Sequence, residues 1–503
     1  MQRFKAGLPL SALAAFSCAA FSAETKPMER IAVAPDNWSL QTAESKQPWV
    51  PFGANYTPGW SGWAPDYLSD KQWNEAQVTA DLDTLKSLGA NCVKAVMSFG
   101  RALPDPQTPD AVTPNEAVLQ RFARLVEIAG ARDIRIIGTL EPGWHGLPQW
   151  WHKGGQMYGP ESLRILDAFW KNVAQRFKGD GRILAWSFCV ETHLAGWRER
   201  SVLDAWRAWA QEKYGAIEKA NAAWGSAHQA WDEVPVAGFN GLNAEGWQKQ
   251  PEGTDANENK TNDPFYYDFL LFREFIAFRY MHAQSRAVKS VDPGALTTMG
   301  FVQWNPILRT QWKPFWEGPM QGTEFSTREM AKTFDLLGIH FYPIYPGGDD
   351  EKQLRYLEVW ARWAYAGKPV ILEEFNQPPP ARNSVWCPKV IERTKGLVCG
   401  WLVWTFRDTK PSDNVTEVCG LLDKDGKETP WAARFRELAA TLTAAKPVYR
   451  SPTRSVKVDK RWLYTSGDYR KFLDGLLAAP DRDVSFEIES NASIDKLLAE
   501  QKK

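Results

Sequence analysis

Residues 183–191, Ile-Leu-Ala-Trp-Ser-Phe-Cys-Val-Glu, and 369–375, Pro-Val-Ile-Leu-Glu-Glu-Phe, are two short apolar runs that each end in a carboxylate. A continuous apolar run of this length, bounded by loop residues, reads as a strand buried on both faces, as in a parallel sheet. Each carboxylate then sits where the strand stops and solvent begins. Six further runs share this character: Pro51–Asn55, Cys92–Met97, Arg135–Leu140, Leu296–Phe301, Leu336–Phe341 and Gly400–Trp404. Between the eight lie amphipathic stretches, Gln77–Leu88, Ala117–Ala131, Ser162–Phe177, Phe269–Lys289, Leu354–Ala366 and Trp431–Leu442. Their apolar residues recur at helical spacing, as Leu119, Phe122, Leu125, Val126 and Ala129 do. Strand and helix in alternation predict an α/β protein, a (β/α)8 TIM barrel. A doubly wound open sheet is the fallback, but no glycine-rich phosphate fingerprint follows any strand.

The barrel is expected over residues 46–444. The stretch from Glu191 to Leu296 is much longer than one unit needs, so a long insertion follows strand four. Its polar part, Gln248–Asn262, reads as a mobile loop. Residues 445–503 carry no strong barrel pattern and include the basic stretch Arg450–Arg461; they read as a short C-terminal appendage or a partly disordered tail. Residues 1–22 combine Arg3 and Lys5, an apolar stretch from Leu8 to Phe21 and small residues around Ala23, the order of a secretory signal peptide. No later run reaches the roughly 18 apolar residues of a membrane span. A soluble protein, secreted or periplasmic, is expected.

Basic and acidic residues are equal at 60 each, so no net field favours nucleic acid or an anionic membrane as partner. Beyond the signal, five cysteines remain, an odd number that leaves at least one thiol unpaired. Cys92 and Cys189 read as small buried hydrophobes, and a disulfide among Cys387, Cys399 and Cys419 stays open. The histidines are scattered, without His-x-x-x-His or paired-cysteine spacing, so neither a metal site nor a cofactor is expected. The oligomeric state is not written in the sequence.

In a barrel, residues at the carboxyl ends of strands share one bowl, so Glu191 and Glu374 can meet across it. Two carboxyls about 5 to 5.5 Å apart are what retaining hydrolysis of a glycosidic bond requires. Trp186, Phe188 and Val190 are expected to surround Glu191 and disfavour its charged form, and polar donors to favour the charged form of Glu374. Strict alternation lets only one of Glu373 and Glu374 face the bowl, and Glu374, at the end of the run, is the choice. Glu141, ending strand three, is a further bowl carboxylate that either binds a sugar hydroxyl or orients a loop. His340 and Tyr342 alternate and so both face the bowl; the other reading is a buried histidine satisfied by backbone. Trp60, Trp63, Trp144, Trp150, Trp151, Trp197 and Trp304 fall in loops on the carboxyl side of strands. Each either stacks on a sugar or packs its loop.

Residues 369–375 resemble the strand-seven nucleophile segment of clan A glycoside hydrolases, especially the cellulase and mannanase family 5. Residues 206–225, WRAWAQEKYGAIEKANAAWG, resemble the segment after the acid/base in β-galactosidases of glycoside hydrolase family 42, and the stretch Asp268–Phe275 fits the same pattern. The resemblance implies a retaining mechanism with Glu191 as acid/base and Glu374 as nucleophile. It also implies that His340 and Tyr342 hold the nucleophile and sugar, and that Trp404 forms a platform under the sugar, with Arg407 and Asp408 adding polar contacts. One departure stands out: the asparagine that precedes the acid/base and bonds the sugar 2-hydroxyl is here Val190. Either Asn55 or Asn376 supplies that donor, or the substrate differs at C2, or turnover is slow. The expected activity is retaining cleavage of β-linked oligo- or polysaccharides, of the β-galactosidase-like, exo-acting kind. An endo-acting mannanase- or cellulase-like enzyme and a catalytically impaired carbohydrate-binding barrel are the alternatives.

Overall fold

The computed structural model describes residues 28–60, 66–141, 146–192, 194, 200–235, 264–303, 324–343, 350–377, 380–409, 419–465, 469–481 and 483–502. The expected signal at 1–22, the polar loop at 248–262, and Trp63, Trp144, Trp197 and Trp304 lie outside the described residues.

All eight expected runs are strands: β1 (Phe52–Asn55), β2 (Cys92–Ser98), β3 (Arg135–Glu141), β4 (Ile183–Val190), β5 (Leu296–Phe301), β6 (Leu337–Phe341), β7 (Val370–Phe375) and β8 (Gly400–Val403). Neighbours pair in parallel and β8 closes onto β1, giving a closed (β/α)8 barrel. Every residue of β2 and β3 is buried, because helices cover one face of the sheet and packed side chains fill the other. The helix Glu116–Gly130 shows how the flanking layer forms. Asn115 caps it by accepting from the Val118 N–H, and Val118, Leu119, Phe122, Leu125, Val126 and Ala129 make its buried stripe. The helix between β1 and β2 starts at Glu75, two residues before the expected point, because Asn74 accepts from the Gln77 N–H at 3.0 Å. The sequence pattern missed the helix Pro380–Thr394 between β7 and β8, where the internal Pro388 interrupts a helical reading.

Three additions surround the barrel. After β4, the helices Arg200–Tyr214 and Ile217–Trp224 dock on the long helix Pro264–Val291. Trp206 packs against Trp209, Trp224, Phe269 and Phe272 there. The Asp268 carboxylate accepts from Trp224 Nε1 at 2.9 Å and binds Lys213 and Tyr214. Before β1, an antiparallel sheet of Ile31–Val33, Leu40–Thr42 and Pro48–Trp49 joins Ile31 and Leu40 to a cluster with Cys92, Leu184, Leu296, Ile371 and Cys399. Those partners stand at or beside the first residues of the barrel strands, so the small sheet plugs the barrel's amino end. Strands of two or three residues carry no readable period, and the sequence analysis assigned this segment no element.

At the C-terminus, the parallel strands Arg454–Val458 and Val484–Ile488 and the helices Lys460–Thr465, Tyr469–Ala478 and Ala492–Glu500 lie against the barrel helices. The basic stretch supplies the fastening. Lys460 is buried, 2.7 Å from Glu274 and 3.0 Å from Glu329. Tyr464 Oη donates to Glu274 at 2.6 Å and the Asn491 N–H to Glu329 at 2.8 Å. All five described cysteines are buried free thiols, so no bridge links Cys387, Cys399 and Cys419. No helix among the described residues is long and apolar enough to cross a membrane.

Removing one partner of a buried ionic cluster leaves the others desolvated and unpaired. Lys460→Ala should therefore cost about 3–5 kcal/mol in denaturant unfolding. The triple change Lys460→Met, Glu274→Gln, Glu329→Gln should recover most of that loss.

Candidate active site

Two backbone irregularities build the site. The register of β4 against β5 shifts between Ser187 and Val190, and that of β7 against β6 shifts between Leu372 and Glu374. Each shift inserts an extra residue, a β-bulge that re-aims the side chains beyond it. In β7 the inserted residue is Glu373. The expectation that only one of the two glutamates faces inward therefore fails: both reach Lys94 Nζ, Glu373 at 3.3 Å and Glu374 at 3.0 Å. Glu373 lies deeper, 1% exposed against 5% for Glu374.

Glu191 follows the bulge of β4 at φ 45°, a left-handed conformation uncommon for a residue with a side chain, and its N–H donates to the Gly300 carbonyl at 3.0 Å. Its side chain is 34% exposed and lies 2.8 Å from His340 Nδ1. The same nitrogen is 3.4 Å from Glu374, and Nε2 is 3.8 Å from Glu373. Tyr342 Oη donates to Glu374 at 2.8 Å. One carboxylate oxygen each of Glu191 and Glu374 and a ring nitrogen of His340 all lie within 4.8 Å of one another. The geometry thus brings together Glu191, Glu374, His340 and Tyr342, as the sequence analysis expected.

Burial opposes a charged His340, and Lys94 opposes it too, but Glu374, Glu191 and Glu373 outweigh both and push the imidazole up to about 9. Burial likewise opposes a charged Lys94, and Glu373 and Glu374 hold it protonated. Despite burial, Lys94 and His340 keep the Glu373 carboxyl below its ordinary range. Burial and the charge of Glu374 raise the Tyr342 phenol well above 10, so it is a donor throughout. The spacing of Glu191, Glu374 and His340 would also fit a divalent cation, but a metal would first have to displace the imidazole proton that three carboxylates retain.

Other expected residues have different places. Trp186 and Phe188 pack outward on Trp170, with ring centroids 5.9 and 4.8 Å away, so they do not surround Glu191. The bulge, not the aromatic neighbours, sets that residue's surroundings. Asn55 is buried beneath the carboxylates, and its amide donates to the Glu373 carbonyl at 2.9 Å and the Val403 carbonyl at 3.3 Å. It ties β1 to β7 and β8 rather than offering that amide to the bowl. Asn376 is likewise buried, its amide donating to the Trp404 carbonyl at 2.9 Å and to Cys419 Sγ at 2.8 Å. Glu141 accepts from the Val190 N–H at 3.1 Å, which gives it the orienting role beside the bulge. Trp404 follows β8 directly, half-buried and joined to Thr405 by a cis peptide bond. Asp408 accepts from the Gly420 N–H at 2.6 Å, and burial pushes its carboxyl up to about 6. Arg407 lies 3.4 Å from the Lys424 carbonyl, so both brace the loop after β8. Trp150 and Trp151 pack on Phe99 in the core, and Trp60 is half-buried. Trp144 is outside the described residues.

Lys94 was missed. Its signal was present: a lysine inside the apolar run Cys92–Met97 is a charge in a strand expected to be buried on both faces, which needs an internal partner.

A family model described as cellulase, glycosyl hydrolase family 5, matches residues 44–269. The β-galactosidase LacZ of Heyndrickxia coagulans is 24% identical over 212 residues, spanning 37% of this chain and 29% of that enzyme's length. Over residues 44–269 the chain is thus similar to glycosyl hydrolases of family 5. Among solved structures, the exo-β-1,4-mannosidase Op5Man5 from Opitutaceae bacterium strain TAV5 aligns with 91% of this chain and 72% of its own, at TM-score 0.61 and 17% identity. A catalytic mutant of Gan42B, a GH42 β-galactosidase from G. stearothermophilus, aligns with 88% of this chain and 65% of its own, at TM-score 0.66 and 13% identity. At these identities the structural likeness speaks to the barrel alone.

The raised pKa of His340 gives a stability signature. Its folded value of about 9 lies above the ordinary 6.5, so its contribution is complete below about pH 6.5 and is lost as pH rises through about 9. The gap in thermal midpoint between wild type and His340→Gln should accordingly be larger at pH 6 than at pH 9.5, read by scanning calorimetry.

Proposed function

We propose that this glycoside hydrolase cleaves terminal β-glycosides with retention of anomeric configuration, with Glu374 as nucleophile and Glu191 as acid/base. The observation that carries the reading is the approach of a Glu191 oxygen to within 4.8 Å of a Glu374 oxygen, the close spacing of double displacement rather than the roughly 6.5–9.5 Å that inversion needs for an intervening water. A Glu374 oxygen attacks the anomeric carbon while Glu191 donates its proton to the departing glycosidic oxygen. The bond to the leaving group breaks and a glycosyl ester on Glu374 forms. Glu191, now a carboxylate, takes a proton from water; the hydroxide oxygen attacks the anomeric carbon, Glu374 departs, and Glu191 ends protonated again.

Lys94, Tyr342 and His340 fix the Glu374 carboxylate before substrate arrives, so little reorganisation accompanies attack. The half-exposed Glu191 is placed to exchange its proton with the leaving group and water. Half-buried Trp404 offers a ring face for the C–H surface of a sugar.

For the sugar, the middle-third likeness to family 42 and the match to the H. coagulans β-galactosidase support a terminal β-galactoside. The alignment of a β-mannosidase with 91% of the chain favours a β-mannoside as the second reading. Without an asparagine at position 190, neither reading has the usual partner for the sugar 2-hydroxyl. Initial rates with aryl β-galactosides, β-mannosides and β-glucosides separate them.

Glu374→Ala should lower turnover of the best aryl glycoside at least about a thousandfold, with azide restoring rate through a glycosyl azide product of inverted configuration. Wild-type product of inverted configuration, measured by NMR of the first anomer released, would end the retaining assignment.

A further inference from the structure

The double-displacement reading gives the deeply buried carboxylate of Glu373 no role. Glu373 is 1% exposed, 3.3 Å from Lys94 Nζ and 3.8 Å from His340 Nε2. Its space is provided by a neighbouring strand: a Cβ on Gly338 of β6 would lie 1.8 Å from Glu373 Oε2. Gly300 of β5 does the same for His340, where a Cβ would lie 2.7 Å from Nε2. Two glycines thus hollow out a chamber under the bowl for one carboxylate and one imidazole.

We propose, on the double-displacement reading, that Glu373 is a positioning residue: set between Lys94 and His340, it balances their charge and keeps the imidazole bridging Glu191 and Glu374. Charges this deeply buried must balance one another. Lys94 and protonated His340 are cations, Glu373 and Glu374 anions, so the four inner groups sum to zero. Glu191, the most exposed of the five side chains, is left to gain and lose a proton without a compensating change beneath it. Without Glu373, two cations would share one anion, and an uncompensated buried charge is expensive. The cheapest relief is loss of the imidazole proton, since Lys94 is the stronger base. A neutral imidazole holds the two carboxylates less firmly than an imidazolium does.

The groups surrounding His340 agree with this assignment. From β2 comes Lys94, which, with burial, disfavours the imidazolium. From β4 comes Glu191 at 2.8 Å. β7 contributes Glu373 and Glu374. Tyr342 follows on the histidine's own strand, and Cys419, beyond β8, neighbours Tyr342 and Asn376. Glu141 of β3 is engaged with the Val190 N–H.

The test compares the full-length wild type with Glu373→Gln, Gly338→Ala and the double variant Lys94→Met/Glu373→Gln. Imidazole titration by NMR of histidine-labelled protein is one readout, with His340 assigned from His340→Gln. The kcat and KM pH profiles on the best aryl glycoside are the other. In Glu373→Gln the His340 midpoint should fall by about one pH unit or more, and the alkaline limb of kcat should move with it. KM should stay within about twofold while kcat at pH 9 drops about fivefold, the ratio of imidazolium expected for midpoints one unit apart, with little loss at pH 6. Gly338→Ala, which pushes the carboxylate off its site, should shift the titration the same way with Glu373 still present. The double variant restores neutrality, so its midpoint should return toward the wild-type value, and it serves if the single variant does not fold. A His340 midpoint unmoved in Glu373→Gln, or one still depressed in the double variant, overturns the proposal; so does a kcat loss equal at all pH values. If wild type turns over no glycoside, the double-displacement reading fails by itself, and the imidazole titration still decides the charge balance.

Discussion

The site depends on an ammonium group sealed inside the barrel. Lys94 has lost nearly all its hydration, a cost of several kcal/mol for any ion, and only the carboxylates of Glu373 and Glu374 within 3.3 Å offset it. Lys94 and His340 in turn keep the Glu373 carboxyl below its ordinary range. The lysine, the two glutamates and the histidine above them are therefore a unit whose members hold one another in place. Such a cluster adds little to stability compared with well-packed hydrocarbon, but it fixes where each charged atom lies. That trade suits an enzyme, since preorganised charge is the largest contribution to stabilising a developing transition state.

Backbone geometry makes the unit possible. A regular strand would send Glu373 outward among the helices, where an ionised carboxylate has no partner. One extra residue in β7 turns it inward, and two glycines on adjacent strands vacate the room it and His340 occupy. On β4 a second bulge delivers Glu191 in a left-handed conformation to the rim of the same chamber, with Glu141 holding the preceding amide. Lys94, Glu373, Glu374 and His340 stand on barrel strands, and Glu191 and Tyr342 directly follow them, so the sheet sets their spacing.

The barrel was legible because buried parallel strands announce themselves as unbroken apolar runs, and all eight did so. Glu191, Glu374, His340 and Tyr342 were legible as strand-end residues, since strand ends in a barrel converge whatever their separation in sequence. What period-two reasoning could not see was the inserted residue in β7, because a bulge leaves no mark on an apolar pattern. It also could not tell Trp186 and Phe188, facing the helices, from neighbours of Glu191 one residue on. Asn55 looked available for ligand because an asparagine at a strand end usually is; its carbonyl partners come from β7 and β8, which no local pattern reveals. The amino-terminal sheet was too short to show a period; of the C-terminal strands, Arg454–Val458 is mostly exposed, and Val484–Ile488, which buries Val484 and Phe486 in alternation, is only five residues long.

That amino-terminal sheet has a consequence of its own. By setting Ile31 and Leu40 against the strand origins, it stoppers the end of the barrel opposite the carboxylates. Glu191 stands at the other end. On the double-displacement reading, a sugar held at Glu191 would lie between the inner charges and bulk water, shielding them for as long as it remains.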